Sequence, residues 1–237
     1  MNSLRITRSY SITNISDEDH TENGRCPNYA LLWDIRQNNV HWPKGHDYFM
    51  GNGSDINDGT KELREILSKR LQNNIMTKNL LFCDLDGVLA DFEKGVEQKF
   101  NKNICDIKQA TLWSVINKSS TFFENLPWMP KGKELWERIK EYHPIILTGV
   151  PPGCPTASEQ KIRWCQRELG PEINVITCLT KDKAKYCIGC SILIDDRLSV
   201  LKSWKDKGGK CILHEEDNLY TNLVRIDRYM EVDSYSP

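Results

Sequence analysis

The sequence predicts an α/β protein built on a parallel β-sheet that is covered by helices on both faces. Short, mostly apolar runs alternate with segments of helical periodicity from residue 80 onward, which is typical of this fold class. The chain has 237 residues, enough for one large α/β domain and a smaller piece. In such sheets, ligands bind beyond the carboxyl ends of the strands.

The individual elements follow from these runs in chain order. An early helix is indicated by Leu63, Ile66, Leu67 and Leu71, which recur at helical spacing. Strands are then predicted over residues 80–85, 144–148, 175–179, 192–194 and 210–213. Helices are predicted at 92–100, 136–141, 158–169 and 198–204, and a Gly-Pro pair ends the third of these.

Composition divides the chain into three parts. Residues 1–27 are polar and are expected to form a disordered tail. Residues 28–78, which include a strand-like run at 29–35, are expected to be an N-terminal extension of unknown role. Residues 79–237 are expected to form the main domain, so a chain that starts near residue 74 should fold and keep its activity.

Charge and cysteine usage favour a cytoplasmic protein without a membrane or a dedicated nucleic-acid partner. The formal net charge is −1, and the first twenty residues lack the continuous apolar stretch of a signal peptide. The nine cysteines are scattered, which is typical of free thiols in a reducing compartment. Cys187 and Cys190 form one CxxC without a second ligand pair, so we interpret them as loop thiols rather than a zinc site.

Polar residues follow four of the predicted strands, where parallel strands bring their carboxyl ends together. They are Asp84 and Asp86, Thr148 and Gly149, the lysines 181, 183 and 185, and Asp195 with Asp196. Clustered carboxylates repel each other unless a divalent cation lies among them, and oxygen ligands suit Mg²⁺. The lysine and the threonine could hold an anionic group such as a phosphate. The pattern predicts metal-assisted phosphoryl transfer with a carboxylate nucleophile.

These residues carry a resemblance to a known family. The DLDGVL stretch resembles the first motif of the haloacid dehalogenase superfamily, and Thr148, a lysine and the Asp195-Asp196 pair match the next three. The stretches DLDGVLADFE, FFENLPWMPKG, EQKIRWCQRELGP, CLTKDK and ILIDDR are further similar to the 5'(3')-deoxyribonucleotidase family. The resemblance covers about residues 80–213. It implies a Rossmann-like sheet with a small helical cap, about residues 92–130, inserted after the first strand.

The resemblance also implies roles for individual residues. Asp84 would be the nucleophile and Asp86 the general acid and base. Mg²⁺ would be held by Asp84, the backbone carbonyl of Asp86 and Asp195, with Asp196 in support. Thr148, Gly149 and a lysine would bind the substrate phosphate, although Gly149 stands where the family usually has serine.

Two assignments within the resemblance stay open. Alignment of CLTKDK favours Lys183 as the phosphate-binding lysine, whereas counting back from Asp195 favours Lys185. Phe92 is expected to face the nucleotide base. The further aromatic candidates Trp113, Phe122 and Phe123 are interpreted as packing residues of the cap.

The favoured activity is Mg²⁺-dependent hydrolysis of (deoxy)ribonucleoside monophosphates through an aspartyl phosphate, with a small-molecule nucleotide as the substrate. One alternative is a phosphatase for the 3' or 5' ends of nucleic acid, with residues 28–75 as a binding module that would use His41, Trp42, Lys44, Tyr48 and Phe49. Another is a non-catalytic regulatory protein, which the intact motif residues disfavour. Base and sugar preference and the oligomeric state are left open, with a homodimer as one option.

Overall fold

A five-stranded parallel β-sheet lies at the centre of the structure, a computed structural model that describes residues 58–231 apart from residues 76 and 78. The strands are β1 (Leu81–Cys83), β2 (Ile145–Gly149), β3 (Asn174–Cys178), β4 (Ile192–Asp195) and β5 (Lys210–Leu213). Their order across the sheet is β3-β2-β1-β4-β5, and every adjacent pair is parallel. The predicted fold class is therefore confirmed, and each of the five strands predicted after residue 79 is present.

Helices connect the strands and cover both faces of the sheet. They are α1 (Asp58–Gln72), α2 (Phe92–Phe100), α3 (Gln109–Ile116), α4 (Gly132–Ile139), α5 (Ala157–Glu168), α6 (Leu198–Lys205) and α7 (Leu219–Glu231). Short 3₁₀ helices span Ile104–Asp106, Lys140–Tyr142, Thr180–Tyr186 and Glu216–Asn218. Helices α3 and α7 were not predicted. No helix in the described part of the chain is long and apolar enough to cross a membrane.

The core has one layer on each face of the sheet, because successive side chains of a strand point to opposite faces. Leu81 and Cys83 of β1 face a layer that includes buried side chains of α4, α5 and α7. Phe82, between them, faces a second layer that includes buried side chains of α1 and α6. Both faces of β1 are fully buried, which explains why its sequence is apolar throughout.

Helix α1 packs against the sheet, although it lies in the segment predicted to be an N-terminal extension. Leu63 and Leu67 are only 3% and 2% exposed and belong to the same core layer as Phe82. The buried Arg70 near the end of the helix donates a hydrogen bond to the backbone carbonyl of His143, just before β2. We therefore propose that the domain includes residues 58–72. Residues 1–57 lie outside the described residues, and they include the predicted tail, the predicted strand and the aromatic and basic residues of the binding module that was predicted over 28–75.

Backbone hydrogen bonds join the chain just before the predicted cap to the chain at its end. The Asp91 backbone N–H donates to Pro127 at 2.8 Å, and the Met129 backbone N–H donates to Leu89 at 2.8 Å. Helices α2 and α3 lie between these two segments. The side chain of Asp91 accepts a 2.8 Å hydrogen bond from the Lys94 backbone and so caps α2. The insert is thus helical and begins shortly after β1.

Cys187 and Cys190 lie in the short segment that precedes β4. The Cys187 side chain is buried beside the backbone of α6, with its Sγ 3.7 Å from the Trp204 carbonyl oxygen. Burial raises the pKa of this thiol to about 11. The interpretation of the CxxC as loop thiols agrees with this environment.

Candidate active site

The strand register brings the motif residues to one edge of the sheet. Cys83 of β1 pairs with Ile146 of β2 on one side and with Ile194 of β4 on the other. Asp84 and Asp195, each one residue beyond these pairs, therefore lie side by side at the carboxyl edge. Because β1 is the central strand and the chain order diverges on its two sides, this edge is also the topological switch point of the sheet.

Lys183 is buried between two of the aspartates. Its Nζ lies 2.7 Å from Oδ2 of Asp84 and 2.7 Å from Oδ2 of Asp195. Burial alone would lower the pKa of Lys183, but the two carboxylates outweigh burial and raise the pKa above its ordinary value. Lys185 is exposed and pairs instead with Asp182 at 2.9 Å. The geometry thus favours Lys183 over Lys185 as the lysine of the site.

Asp84, Asp195 and Asp196 form an acidic cluster in which one carboxylate oxygen of each residue lies within 4.8 Å of the other two. Burial first, and then the negative charge of Asp84, raise the pKa of Asp195 and raise the pKa of Asp196 to about 6. Raised pKa values mean that the folded chain disfavours three negative charges in this space. A divalent cation with oxygen ligands would remove that penalty, so the residues fit Mg²⁺.

The turn after β1 needs glycine at position 87. Gly87 has a φ of +79°, in the left-handed region that favours glycine. A Cβ atom at this position would also lie 2.6 Å from Oδ2 of Asp196, which is shorter than any normal contact. Glycine therefore allows the backbone at position 87 to lie directly against the Asp196 side chain.

Lys161 of helix α5 is part of the site, although sequence reasoning missed it. Its side chain is fully buried, and its Nζ lies 2.5 Å from Asp86 Oδ2, 3.0 Å from Thr148 Oγ1 and 2.6 Å from the Gly149 carbonyl oxygen. A signal was present in the sequence. Lys161 occupies the buried face of its helix, four residues from both Ala157 and Cys165, where an apolar residue is expected.

Asp86 is half-buried and has two differently placed oxygens. Oδ2 accepts the hydrogen bond from Lys161, whereas Oδ1 is buried and has no hydrogen-bond partner among the described residues. Thr148 is fully buried at the end of β2, with its hydroxyl 3.0 Å from the same lysine. Asp86, Thr148 and Gly149 are therefore linked through one ammonium group.

The helical insert after β1 contains a cluster of aromatic rings that includes Phe92. The Phe92 ring lies 6.0 Å from Trp113 and 6.3 Å from Phe123 in stacked geometry, and 5.6 Å from Phe122. Phe122 and Phe123 are buried, as expected for packing residues of the cap, whereas Phe92 and Trp113 are half-buried. The role of Phe92 in contacting a nucleotide base stays a prediction.

Comparison with family models decides the family. Residues 105–235, more than half of the chain, match the family described as "5' nucleotidase, deoxy (Pyrimidine), cytosolic type C protein". The chain belongs to this family. The predicted resemblance is thereby confirmed, and the chain is a hydrolase of the haloacid dehalogenase type, of the nucleotidase or phosphatase class. The range that the family model matches begins after the DLDGVL stretch and includes Thr148, Lys161, Lys183, Asp195 and Asp196.

A similar solved structure shares little sequence with this nucleotidase. The crystal structure of a hydrolase from Streptococcus pneumoniae TIGR4 is similar over 63% of this chain and 100% of that chain, with 14% sequence identity and a TM-score of 0.40. A likeness this distant does not bear on function. No curated protein matches the chain.

Proposed function

We propose that this nucleotidase is a Mg²⁺-dependent phosphatase that hydrolyses deoxyribonucleoside monophosphates through an aspartyl phosphate on Asp84. The observation that carries the proposal is the convergence at one sheet edge of four aspartates, two buried lysines and a threonine hydroxyl. Carboxylates supply a nucleophile and an acid–base group, and Lys183 and the Thr148 hydroxyl supply a place for phosphate. A purely structural ion-pair network would not need this excess of carboxylates.

In the first step, an Asp84 carboxylate oxygen attacks the phosphorus atom of the substrate. The bond from phosphorus to the ester oxygen breaks, and the leaving sugar oxygen takes a proton from the Asp86 carboxyl group. The backbone N–H of Leu85 holds Oδ1 of Asp84 at 2.8 Å, which orients the carboxylate before attack. Lys183 and Thr148 would stabilise the charge on the phosphoryl oxygens.

In the second step, a water molecule attacks the phosphorus atom of the aspartyl phosphate. Asp86, now ionised, takes a proton from this water, and the bond from phosphorus to Asp84 breaks. Inorganic phosphate is released, and both carboxyl groups return to their starting states. Asp86 thus acts as an acid in the first half of the cycle and as a base in the second.

A divalent metal fits the acidic edge of the site. The six charged side chains at this edge are Asp84, Asp86, Asp195, Asp196, Lys161 and Lys183, which together carry two more negative than positive charges when all are ionised. Asp84, the Asp86 carbonyl and Asp195 would hold the ion, with Asp196 in support. When bound, Mg²⁺ would screen the nucleophile from the phosphate and polarise a phosphoryl oxygen.

The substrate class is supported by the family name and by the cap. The words "deoxy (Pyrimidine)" make deoxypyrimidine monophosphates the first substrates to test, and "cytosolic type" agrees with the predicted cytoplasmic location. The half-buried Phe92 and Trp113 offer ring faces on which a base could stack. We propose residues 92–130 as the cap that covers one nucleotide.

The test is phosphate release across a substrate panel. Purified full-length protein is incubated with deoxyribonucleoside and ribonucleoside mono-, di- and triphosphates and with 3'- and 5'-phosphorylated oligonucleotides, with Mg²⁺ or with EDTA. We expect Mg²⁺-dependent release from monophosphates in preference to the others. Preferred release from oligonucleotide ends would favour the alternative function, and no release from any compound would refute a phosphatase.

A further inference from the structure

Lys161 is a buried cation whose hydrogen-bond acceptors all belong to the candidate site. The described contacts of its Nζ are the Asp86 carboxylate, the Thr148 hydroxyl and the Gly149 carbonyl oxygen. The side chain is fully buried on α5, and its ammonium also lies 5.0 Å from the centre of the Phe123 ring in the cap. An ammonium group is costly to bury and must be compensated by its partners. The ion pair with Asp86 supplies that compensation.

The pairing leaves the two oxygens of Asp86 unequal. Oδ2 is held by Lys161 at 2.5 Å, so the plane of the carboxyl group is restrained. Oδ1 is buried without a partner among the described residues. Such an oxygen is destabilised until a donor approaches it, and unsatisfied buried groups of this kind occur at catalytic sites.

We propose that Lys161 is a positioning residue that holds Asp86 through Oδ2 and directs Oδ1 toward the leaving oxygen of the substrate. This inference rests on the proposed function, because it assigns a role in proton transfer to the leaving group. Lys161 thereby links the turn after β1 to the end of β2, so that the acid–base group and the phosphate-binding threonine keep one relative position. Its contribution is to the geometry of Asp86 rather than to general attraction for phosphate.

The alternative role for Lys161 is simple electrostatic attraction of the phosphate, and leaving groups separate the two roles. A sugar alkoxide is a poor leaving group and needs the proton from Asp86, whereas p-nitrophenolate needs little protonation. A residue that positions Asp86 should matter most for the nucleotide. A residue that only attracts phosphate should matter equally for both substrates.

The experiment compares steady-state kcat and KM for a deoxyribonucleoside monophosphate and for p-nitrophenyl phosphate. The variants are Lys161→Met, Asp86→Asn and the double variant, with unfolding temperatures recorded for each. Lys140→Met is the matched control, because Lys140 also pairs with a carboxylate, Glu137 at 2.6 Å, but both side chains of that pair are exposed and lie away from the site. Lys161→Gln replaces Lys161→Met if the latter does not fold.

We expect Lys161→Met to lower kcat for the nucleotide by about 100-fold or more, and kcat for p-nitrophenyl phosphate by about tenfold or less. The double variant should be no slower than Asp86→Asn alone to within about threefold, because both changes remove the same function. Equal losses on both substrates, a change confined to KM, or additive losses in the double variant would overturn the inference and leave the proposed function standing. A wild-type protein that hydrolyses neither substrate would overturn the proposed function itself.

Discussion

Removal of helix α1 should destabilise the whole α/β domain. Sequence composition placed the start of the domain near residue 79. However, Leu63 and Leu67 are buried in the core layer beside the sheet, with exposed fractions of only 3% and 2%. We therefore expect a chain that begins at Asn74 to unfold far more easily than a chain that begins at Asp55, which keeps α1. This outcome reverses the expectation that a chain starting near residue 74 folds and keeps its activity.

The magnitude follows from the burial of these two side chains. Leu67→Ala removes three buried carbon atoms, which at ~0.8 kcal/mol each amounts to about 2.4 kcal/mol of lost transfer free energy. Incomplete collapse of the cavity raises the expected cost to about 3–5 kcal/mol. Loss of both leucines approaches the total free energy of unfolding of a typical domain, about 5–15 kcal/mol. The truncated chain should therefore be largely unfolded.

The assay is unfolding in urea, monitored by circular dichroism. It is applied to the full chain, to both truncated chains and to Leu67→Ala. Leu198→Ala is the matched control, since Leu198 is 54% exposed and loses the same atoms without leaving a cavity. We expect this control to change the free energy of unfolding by less than about 1 kcal/mol. If the chain from Asn74 unfolded at the same urea concentration as the chain from Asp55, the assignment of α1 to the core would be wrong.

Three further predictions concern the site. Asp84→Asn should abolish both turnover and the phosphoenzyme seen by mass spectrometry after acid quench, because an amide cannot form an acyl phosphate; normal turnover would exclude Asp84 as the nucleophile. Phe92→Ala should raise KM for nucleotides about tenfold but leave KM for p-nitrophenyl phosphate nearly unchanged, since stacking of a base contributes about 1–3 kcal/mol; equal changes would remove Phe92 from base recognition. Because the fold raises the pKa values of Asp195 and Asp196, their ionisation lowers stability as pH rises from about 4 to about 7. Mg²⁺ should therefore raise the unfolding temperature more at about pH 7.5 than at about pH 5.5, and an equal increase at both would contradict binding at these carboxylates.

The strands and the aspartates could be predicted because their signals are local. A fully buried strand needs a continuous apolar run, and carboxylates directly after such a run are too costly to be incidental. The runs that became β1 and β4 and the aspartates at their carboxyl ends were therefore recognisable from a few adjacent residues. Helix α7 was missed, and the residues that the structure leaves undescribed include the segment at 29–35 that was predicted as a strand.

The choice between Lys183 and Lys185 needed the folded chain. Both lysines follow β3 within one short segment, and motif spacing favours one or the other depending on where counting starts. The segment folds as a 3₁₀ helix over Thr180–Tyr186, which places Lys183 inside and leaves Lys185 exposed. The energetic reason is that only the inner position offers two carboxylates to a buried ammonium.

By itself, the sequence determined the fold class of this protein and the polar residues at its strand ends, because an apolar run and the residues at its end are local features of the chain. The tertiary structure decided the strand order, the place of α1 in the core and the presence of Lys161 at Asp86. Lys161 and Asp86 are 75 residues apart in the chain. Their pairing exists only because α5 packs against the sheet and buries the lysine, and no local pattern encodes which distant carboxylate a buried cation will meet.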